Sequence, residues 1–305
     1  MNGLILFSYG TIRSMDDIAA FYEHLTYGNV SEKMMEKGYH LFQSIGTCDP
    51  LASTTKRIGR SLSRRLKQET KEEWKYYIAN KHTYPFIEDA VEQCVKDRVS
   101  KIYTVPLTPL YSKTGTRVYE RTVVKALNKH ERERVSVTNI PVLYSTVSFI
   151  HLLADRLNDA IVWLPENIQE DTEIVFTSHS MPGDHTTQQD FIWQYEYLAS
   201  EVIKRVPYRS YRLAYRSASP GEAWLEPDIL DVIRSLAKEG KKAVVICELL
   251  SIIKNAEAIQ EVGRDGMRLA HLLGMEFVQT EYLNDSDDFM EVLTNHILEK
   301  IKQPS

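Results

Sequence analysis

The run Ile174-Val175-Phe176-Thr177-Ser178-His179-Ser180-Met181-Pro182 passes from apolar residues to hydroxyls, one imidazole and a proline. Such a stretch reads as a buried strand that delivers a histidine at its carboxyl end, the edge where open α/β sheets bind ligands. A neutral imidazole placed there could accept a proton near pH 7. A lone histidine is more often structural, so the pattern by itself does not assign His179. A second group is Glu257, Glu261 and Asp265, whose four-residue spacing stacks carboxylates along one helix face. Like charges so spaced repel unless water or cations share them, and Lys254, Arg264 and Arg268 could neutralise them as an ordinary solvated face. The other reading is a carboxylate ladder that conducts a hard divalent cation or protons.

Composition limits what these groups can serve. The 305 residues suffice for one large domain or two of about 150, and 43% apolar with 26% charged residues is ordinary for a globular protein. A net charge of −5 gives no basic field for nucleic acid, which is excluded as an expected partner. The amino terminus has no basic region or small-residue cleavage site, and no run approaches the ~20 apolar residues of a transmembrane span, so a cytoplasmic location is expected. Cys48, Cys94 and Cys247 are odd in number and far apart, which argues for buried thiols over a disulfide framework or a cysteine-built cluster. No G-x-G-x-x-G or Walker sequence occurs, and Ser178-His179-Ser180 lacks the glycines of a nucleophile elbow.

The elements that must position these side chains alternate. Strands are expected at 3–8, 74–79, 99–107, 135–140, 174–178, 211–215, 242–249 and 276–280. Helices are expected from Asp16-Asp17 through Leu25, after Asp49-Pro50, from Pro85 and from about Val118, then over 149–163, 187–204, from Pro227-Asp228 to Gly240, over 255–272 and over 287–301. Alternation implies parallel sheets covered on both faces. The division is expected as an N-terminal α/β domain 1–145, a crossover helix and connector 146–172, and a C-terminal α/β domain 173–305 whose last helix could pack back on the first, with a cleft between the two.

Several stretches carry a resemblance. Leu6-Phe7-Ser8-Tyr9-Gly10-Thr11, Pro85-Phe86-Ile87-Glu88-Asp89-Ala90-Val91, Val175 to Pro182 and Trp224-Leu225-Glu226-Pro227-Asp228 follow in order along the chain. In these it resembles the ferrochelatases, specifically the short soluble coproporphyrin ferrochelatase-like type of Gram-positive bacteria, as a divergent member. The resemblance implies two Rossmann-like, chelatase-type α/β domains and insertion of Fe²⁺ into a porphyrin, coproporphyrin III or protoporphyrin IX, in haem biosynthesis. It implies that His179 and Glu257 are catalytic, with Glu261 and Asp265 continuing an acidic line as further metal ligands. Tyr9 matches a tyrosine after the first strand and His82 a strand-end histidine. Tyr9, Thr11, Tyr27, Ser112, Tyr119 and Trp224 are candidates for the porphyrin cleft.

No organic cofactor is expected; Fe²⁺ enters as substrate, and the acidic helix could hold a further divalent cation such as Mg²⁺. The expected partners are the porphyrin and a haem-pathway enzyme or haem acceptor, with the chain a monomer. Departures from the family pattern sit at Lys254-Asn255, where Asp-His is usual, at Thr26-Tyr27-Gly28, where basic residues are frequent, and at Leu110. Porphyrin propionates would then rely on other cations such as Arg13, Lys56 or Lys113. Other readings are a chelatase acting on another tetrapyrrole or metal, and a porphyrin- or haem-binding paralogue without turnover.

Overall fold

The computed structural model describes residues 1–46, 50–130, 135–207, 210–218 and 223–303. In order these form β1 (Asn2–Ser8), α1 (Asp17–Leu25), α2 (Glu32–Ile45), α3 (Leu51–Thr70), β2 (Trp74–Asn80), α4 (Ile87–Lys96), β3 (Lys101–Pro106), α5 (Thr116–Lys129), β4 (Ser136–Asn139), α6 (Val147–Val162), β5 (Thr172–His179), α7 (Gln189–Ile203), β6 (Tyr211–Arg216), α8 (Ile229–Lys238), β7 (Ala243–Glu248), α9 (Ala256–Gln260), a π-helical turn (Glu261–Gly266), α10 (Met267–Leu272), β8 (Glu276–Gln279) and α11 (Asp287–Lys302). No helix among the described residues is long and apolar enough to cross a membrane.

Two compact units divide the chain: Met1–Leu107 with Tyr111–Val142 and Asn284–Ser305, and Thr108–Leu110 with Leu143–Leu283. These limits differ from 1–145, 146–172 and 173–305 in that α6 belongs to the second unit; α11 belongs to the first, the packing-back expected of the last helix. Two arginines on α3 pair with acids at or just before the start of α11. Arg57 Nε donates to Asp285 at 2.6 Å, and Arg65 pairs with Asp287. On its inner face α11 buries Phe289, Leu293 and Ile297.

Among the described residues the first unit holds a four-stranded parallel sheet in the order β2-β1-β3-β4. Every residue of β1 is buried, as expected for a central parallel strand covered on both faces. On one face Phe7 packs against Tyr119 at a ring-centroid separation of 5.2 Å, with Val91 and Val123 in the same core. Opposite, α3 approaches β2 so closely that a Cβ on Gly59 would lie 2.3 Å from the Tyr76 ring. Only glycine permits that contact.

The second unit repeats the order as β6-β5-β7-β8, again parallel. Its central strand β5 is buried from Thr172 through Ser178 and emerges at His179. Beneath it, the hydroxyl of fully buried Tyr195 on α7 lies 2.7 Å from the carbonyl of Phe176 and 3.0 Å from that of Ala214, spanning β5 and β6. Order reverses between β5 and β7, so the carboxyl ends of these strands form the edge where such sheets bind ligands.

Two local departures from the expected elements have physical reasons. Helix α2 was not expected, yet Ser31 caps it by accepting from Met34 N at 3.2 Å, and Gly46 ends it with φ +67°. The helix expected as continuous over 255–272 instead contains the π-helical turn Glu261–Gly266. That turn changes which side chains are neighbours. Of the three cysteines, Cys94 and Cys247 are free and buried, while Cys48 lies outside the described residues.

Candidate active site

His179 sits at the last position of β5, and register decides what surrounds it. The pairing sets His179 beside Arg216 on β6, while Thr177, two residues earlier, lies opposite Glu248 on β7. His179 Nδ1 is 2.6 Å from the Ser180 carbonyl oxygen. A carbonyl only accepts, so Nδ1 carries the proton and Nε2 is the ring's free basic position. Nε2 faces Glu257 Oε2 at 3.5 Å.

Glu257 is delivered by a capped helix start. Asn255 Oδ1 accepts from Ala258 N at 3.0 Å, so the asparagine that departs from the family pattern serves as the N-cap of α9. Glu257 lies in the first turn, where the helix dipole favours a carboxylate. Its side chain is half exposed and that of His179 about a third exposed, so both are reachable from solvent.

The centre of the cluster is Arg216, only 1% exposed. Its Nε donates to Glu248 Oε2 at 3.0 Å, its Nη2 to Ser251 Oγ at 2.7 Å, and its Nη1 to Ser217 Oγ at 3.1 Å and Glu261 Oε2 at 3.4 Å. The same Nη1 stands 3.9 Å from Glu257 Oε2. Ser217 Oγ also donates to Glu261 Oε2. Glu248 in turn accepts from Ser251 N at 3.0 Å, which fixes the loop after β7.

Charge and burial compete at each member. Burial disfavours the imidazolium of His179, and the charge of Arg216 adds to this; the hydrogen bond and charge of Glu257 prevail and leave its pKa raised. Burial raises the pKa of Glu261, with repulsion from Glu257 in the same sense and the Arg216 guanidinium opposing. Arg216 remains a permanent cation.

The acidic line therefore divides. Glu257 and Glu261 converge on Arg216, whereas Asp265 on the π-helical turn accepts from Nε2 of Gln260, the last residue of α9, at 2.9 Å. Among the described residues no three His, Cys, Asp or Glu side chains form a group that could hold a metal ion. Of the expected ligand set His179, Glu257, Glu261 and Asp265, the first two face each other, Glu261 is held by the Arg216 guanidinium and Asp265 by the Gln260 amide. A divalent cation at this helix would have to displace those protein donors.

The turn after His179 is pinned by the segment before α8. Ser180 Oγ donates to Leu225 O at 2.9 Å, Leu225 N to Met181 O at 3.2 Å, and Pro182 bridges Trp224. The Trp224 ring lies 6.4 Å from that of His179, and its buried Nε1 has no hydrogen-bond partner among the described residues.

In the first unit the other candidates scatter. Tyr9 follows β1, half exposed, its ring 4.7 Å from His82 and 5.9 Å from the Lys81 ammonium. His82 faces His24 with their Nδ1 atoms 3.1 Å apart. Burial, with the charges of Lys81 and His24, holds the His82 pKa down at about 3. Thr11 is buried, its N–H donating to Thr83 Oγ1 at 3.0 Å. Tyr27 follows α1 with φ +53° and is 86% exposed. Ser112 accepts from Gly115 N at 3.0 Å and closes the turn before α5. Tyr119, expected at a ligand surface, is instead a core residue against Phe7, because the helix phase of α5 turns it to the sheet.

Arg216, Glu248, Ser251 and His24 were not singled out in the sequence. A signal existed for Arg216, a charged residue ending an apolar strand just as His179 does. Of the cations considered for propionates, Arg13 pairs with Asp17 at 3.7 Å and Lys56 and Lys113 are exposed, while Leu110 is fully buried.

The fold is similar to that of SirB from Bacillus subtilis with Fe³⁺, with a TM-score of 0.62 at 14% identity, covering 99% of this chain and 96% of that one. The chain belongs to the ferrochelatase family, whose model matches residues 1–301. It is 26% identical over 298 residues to the ferrochelatase of Herpetosiphon aurantiacus, covering 95% of this chain and 96% of that protein. To the coproporphyrin III ferrochelatase of Listeria monocytogenes it is 28% identical over 303 residues, covering 98% and 97%. It is accordingly a divergent member of an enzyme family that inserts metal into porphyrins.

Proposed function

We propose that this chain inserts Fe²⁺ into coproporphyrin III or protoporphyrin IX as a step of haem biosynthesis. The observation that carries the reading is the His179 Nε2 to Glu257 Oε2 pair at 3.5 Å, with Nδ1 already committed to a backbone carbonyl. Metal insertion requires that two pyrrole N–H protons leave as the ion exchanges water for four ring nitrogens. His179 Nε2 takes one proton. Glu257, adjacent and half exposed, takes the second and returns both to solvent. Two protons depart for each Fe²⁺ bound, so charge balances without a redox step.

Trp224, half-buried and 6.4 Å from the His179 ring, offers an aromatic face beside the pair for a planar macrocycle. No organic cofactor enters this scheme. The similarity to a coproporphyrin III ferrochelatase favours coproporphyrin over protoporphyrin.

An anaerobic metallation assay with Fe²⁺ or Zn²⁺ and a porphyrin panel tests the reading, with His179→Ala as control. Metallation that depends on His179 supports it, and the fastest ring identifies the substrate. Binding without turnover by the folded wild-type chain would replace it with a porphyrin carrier, and metallation of sirohydrochlorin alone would move it to another tetrapyrrole.

A further inference from the structure

The carboxylates near His179 have an unusual centre. Arg216 is buried with Glu248, Glu257 and Glu261 within ion-pair distance, and Ser217 and Ser251 accept further hydrogen bonds from it. A buried guanidinium costs several kcal/mol of desolvation unless its hydrogen bonds are nearly all made, and here they are. Its position is built by the fold: register fixes it beside His179, and Glu248 with Ser251 grips it from the end of β7. These are residues of the strand ends, so the guanidinium is held on one side and meets the helix carboxylates on the other.

A hard divalent cation placed among Glu257 and Glu261 would do what Arg216 does: gather two carboxylates and offset their repulsion. We infer that Arg216 is a built-in counter-ion that stands in the place of a second metal ion, positioning Glu257 opposite His179 and excluding resident divalent cations from the Glu257–Glu261 line. This goes beyond the proposed reaction and rests on it only for the catalytic consequence: the sole ion the line handles is the one being inserted. Arg216 touches neither substrate nor ion in this scheme. It is a positioning residue.

The geometry explains why the guanidinium suits the task. Its five donors are directional and planar, so they hold Glu261 and Glu248 at fixed angles, and unlike a metal ion it cannot exchange with the incoming substrate. It also commits Glu261, through Nη1 and Ser217, to protein donors. Glu257, at 3.9 Å, is the carboxylate held most loosely by Arg216 and is left facing the imidazole.

Mn²⁺ binding to the porphyrin-free full chain, read from the paramagnetic resonance of the free ion, tests this without any turnover. Wild type, Arg216→Lys, Arg216→Gln and Arg216→Gln/Glu261→Gln are compared, with circular dichroism confirming the fold. Expected is a Mn²⁺ site gained in Arg216→Gln, bound roughly tenfold or more tighter than any in wild type, absent in Arg216→Lys and lost in the double variant. A folded Arg216→Gln that gains no site overturns the inference. So does a wild-type Mn²⁺ site that Glu261→Gln removes, and this comparison decides the matter if Arg216→Gln does not fold. A second readout is the KM for Fe²⁺ against kcat: Arg216→Gln should become inhibited by excess Mn²⁺ while wild type is not. If no protein metallates porphyrin yet Arg216→Gln gains its Mn²⁺ site, the proposed reaction fails and the counter-ion stands.

Discussion

His179 and Glu257 meet across 3.5 Å from two different elements, the end of β5 and the first turn of α9. Only one nitrogen of the imidazole is available to the carboxylate, because the other is bound to the carbonyl of Ser180. Protonation of Nε2 is thus tied to the charge of Glu257.

Removing that charge should show in the histidine itself. In Glu257→Gln the His179 pKa falls, since the carboxylate is what raises it against burial and Arg216. A group with a raised folded pKa contributes stability below its unfolded value near 6.5, and that contribution is lost as pH rises through the folded value. NMR titration of the His179 ring should give a lower pKa in the variant. Equal titration would show that the pair is not coupled.

Metallation by Glu257→Gln should slow by roughly 10²- to 10⁴-fold, the range for a positioned proton acceptor, with porphyrin affinity little changed. A wild-type rate would return Glu257 to an ordinary wet helix face.

His179→Ala should abolish metallation while shifting the urea midpoint only slightly, because the side chain is partly exposed at a strand end and truncation opens no core cavity. Full turnover by a folded variant would remove His179 from the chemistry.

Asn255→Ala should cost about 0.5–2 kcal/mol of stability through the lost cap, and lower turnover through Glu257 on the same turn. Asn255→Asp should recover both, as aspartate caps equally well. Unchanged thermal melting in Asn255→Ala would mean that α9 is held by packing alone.

Acid should reveal His82. Its folded pKa is depressed to about 3, so the unfolded chain takes up the proton first and stability falls as pH drops from about 6.5 toward 3. His82→Phe, which keeps a ring against Tyr9 and Phe21, should lose less stability over that window, by about 1–3 kcal/mol. Parallel pH curves for the two proteins would refute the depressed pKa.

What the sequence revealed depended on whether a signal was local. His179 was legible because an apolar run announces its own strand and its polar end. Capping made the start of α8 readable at Asp228, whose side chain accepts from Leu230 N at 2.8 Å. Arg216 was not legible, because its meaning comes from lying beside His179 in the sheet, and register joins residues far apart in sequence. Tyr119 was misplaced for a different reason: an aromatic residue on a helix does not announce its face, and the phase of α5 turns this one inward against Phe7. Glu257, Glu261 and Asp265 share one spacing, but a change of helical bonding separated the third from the others.

That change has a wider consequence. A residue advances an α-helix by about 100°, so a one-residue deletion within Glu261–Gly266 that restored regular winding would rotate everything upstream by about that angle relative to α10. Ala270 would stay buried against its neighbours, and Glu257 would swing away from His179. The π-helical turn therefore acts as a phase adjuster, letting one continuous segment satisfy the packing of its far end and the aim of its first turn.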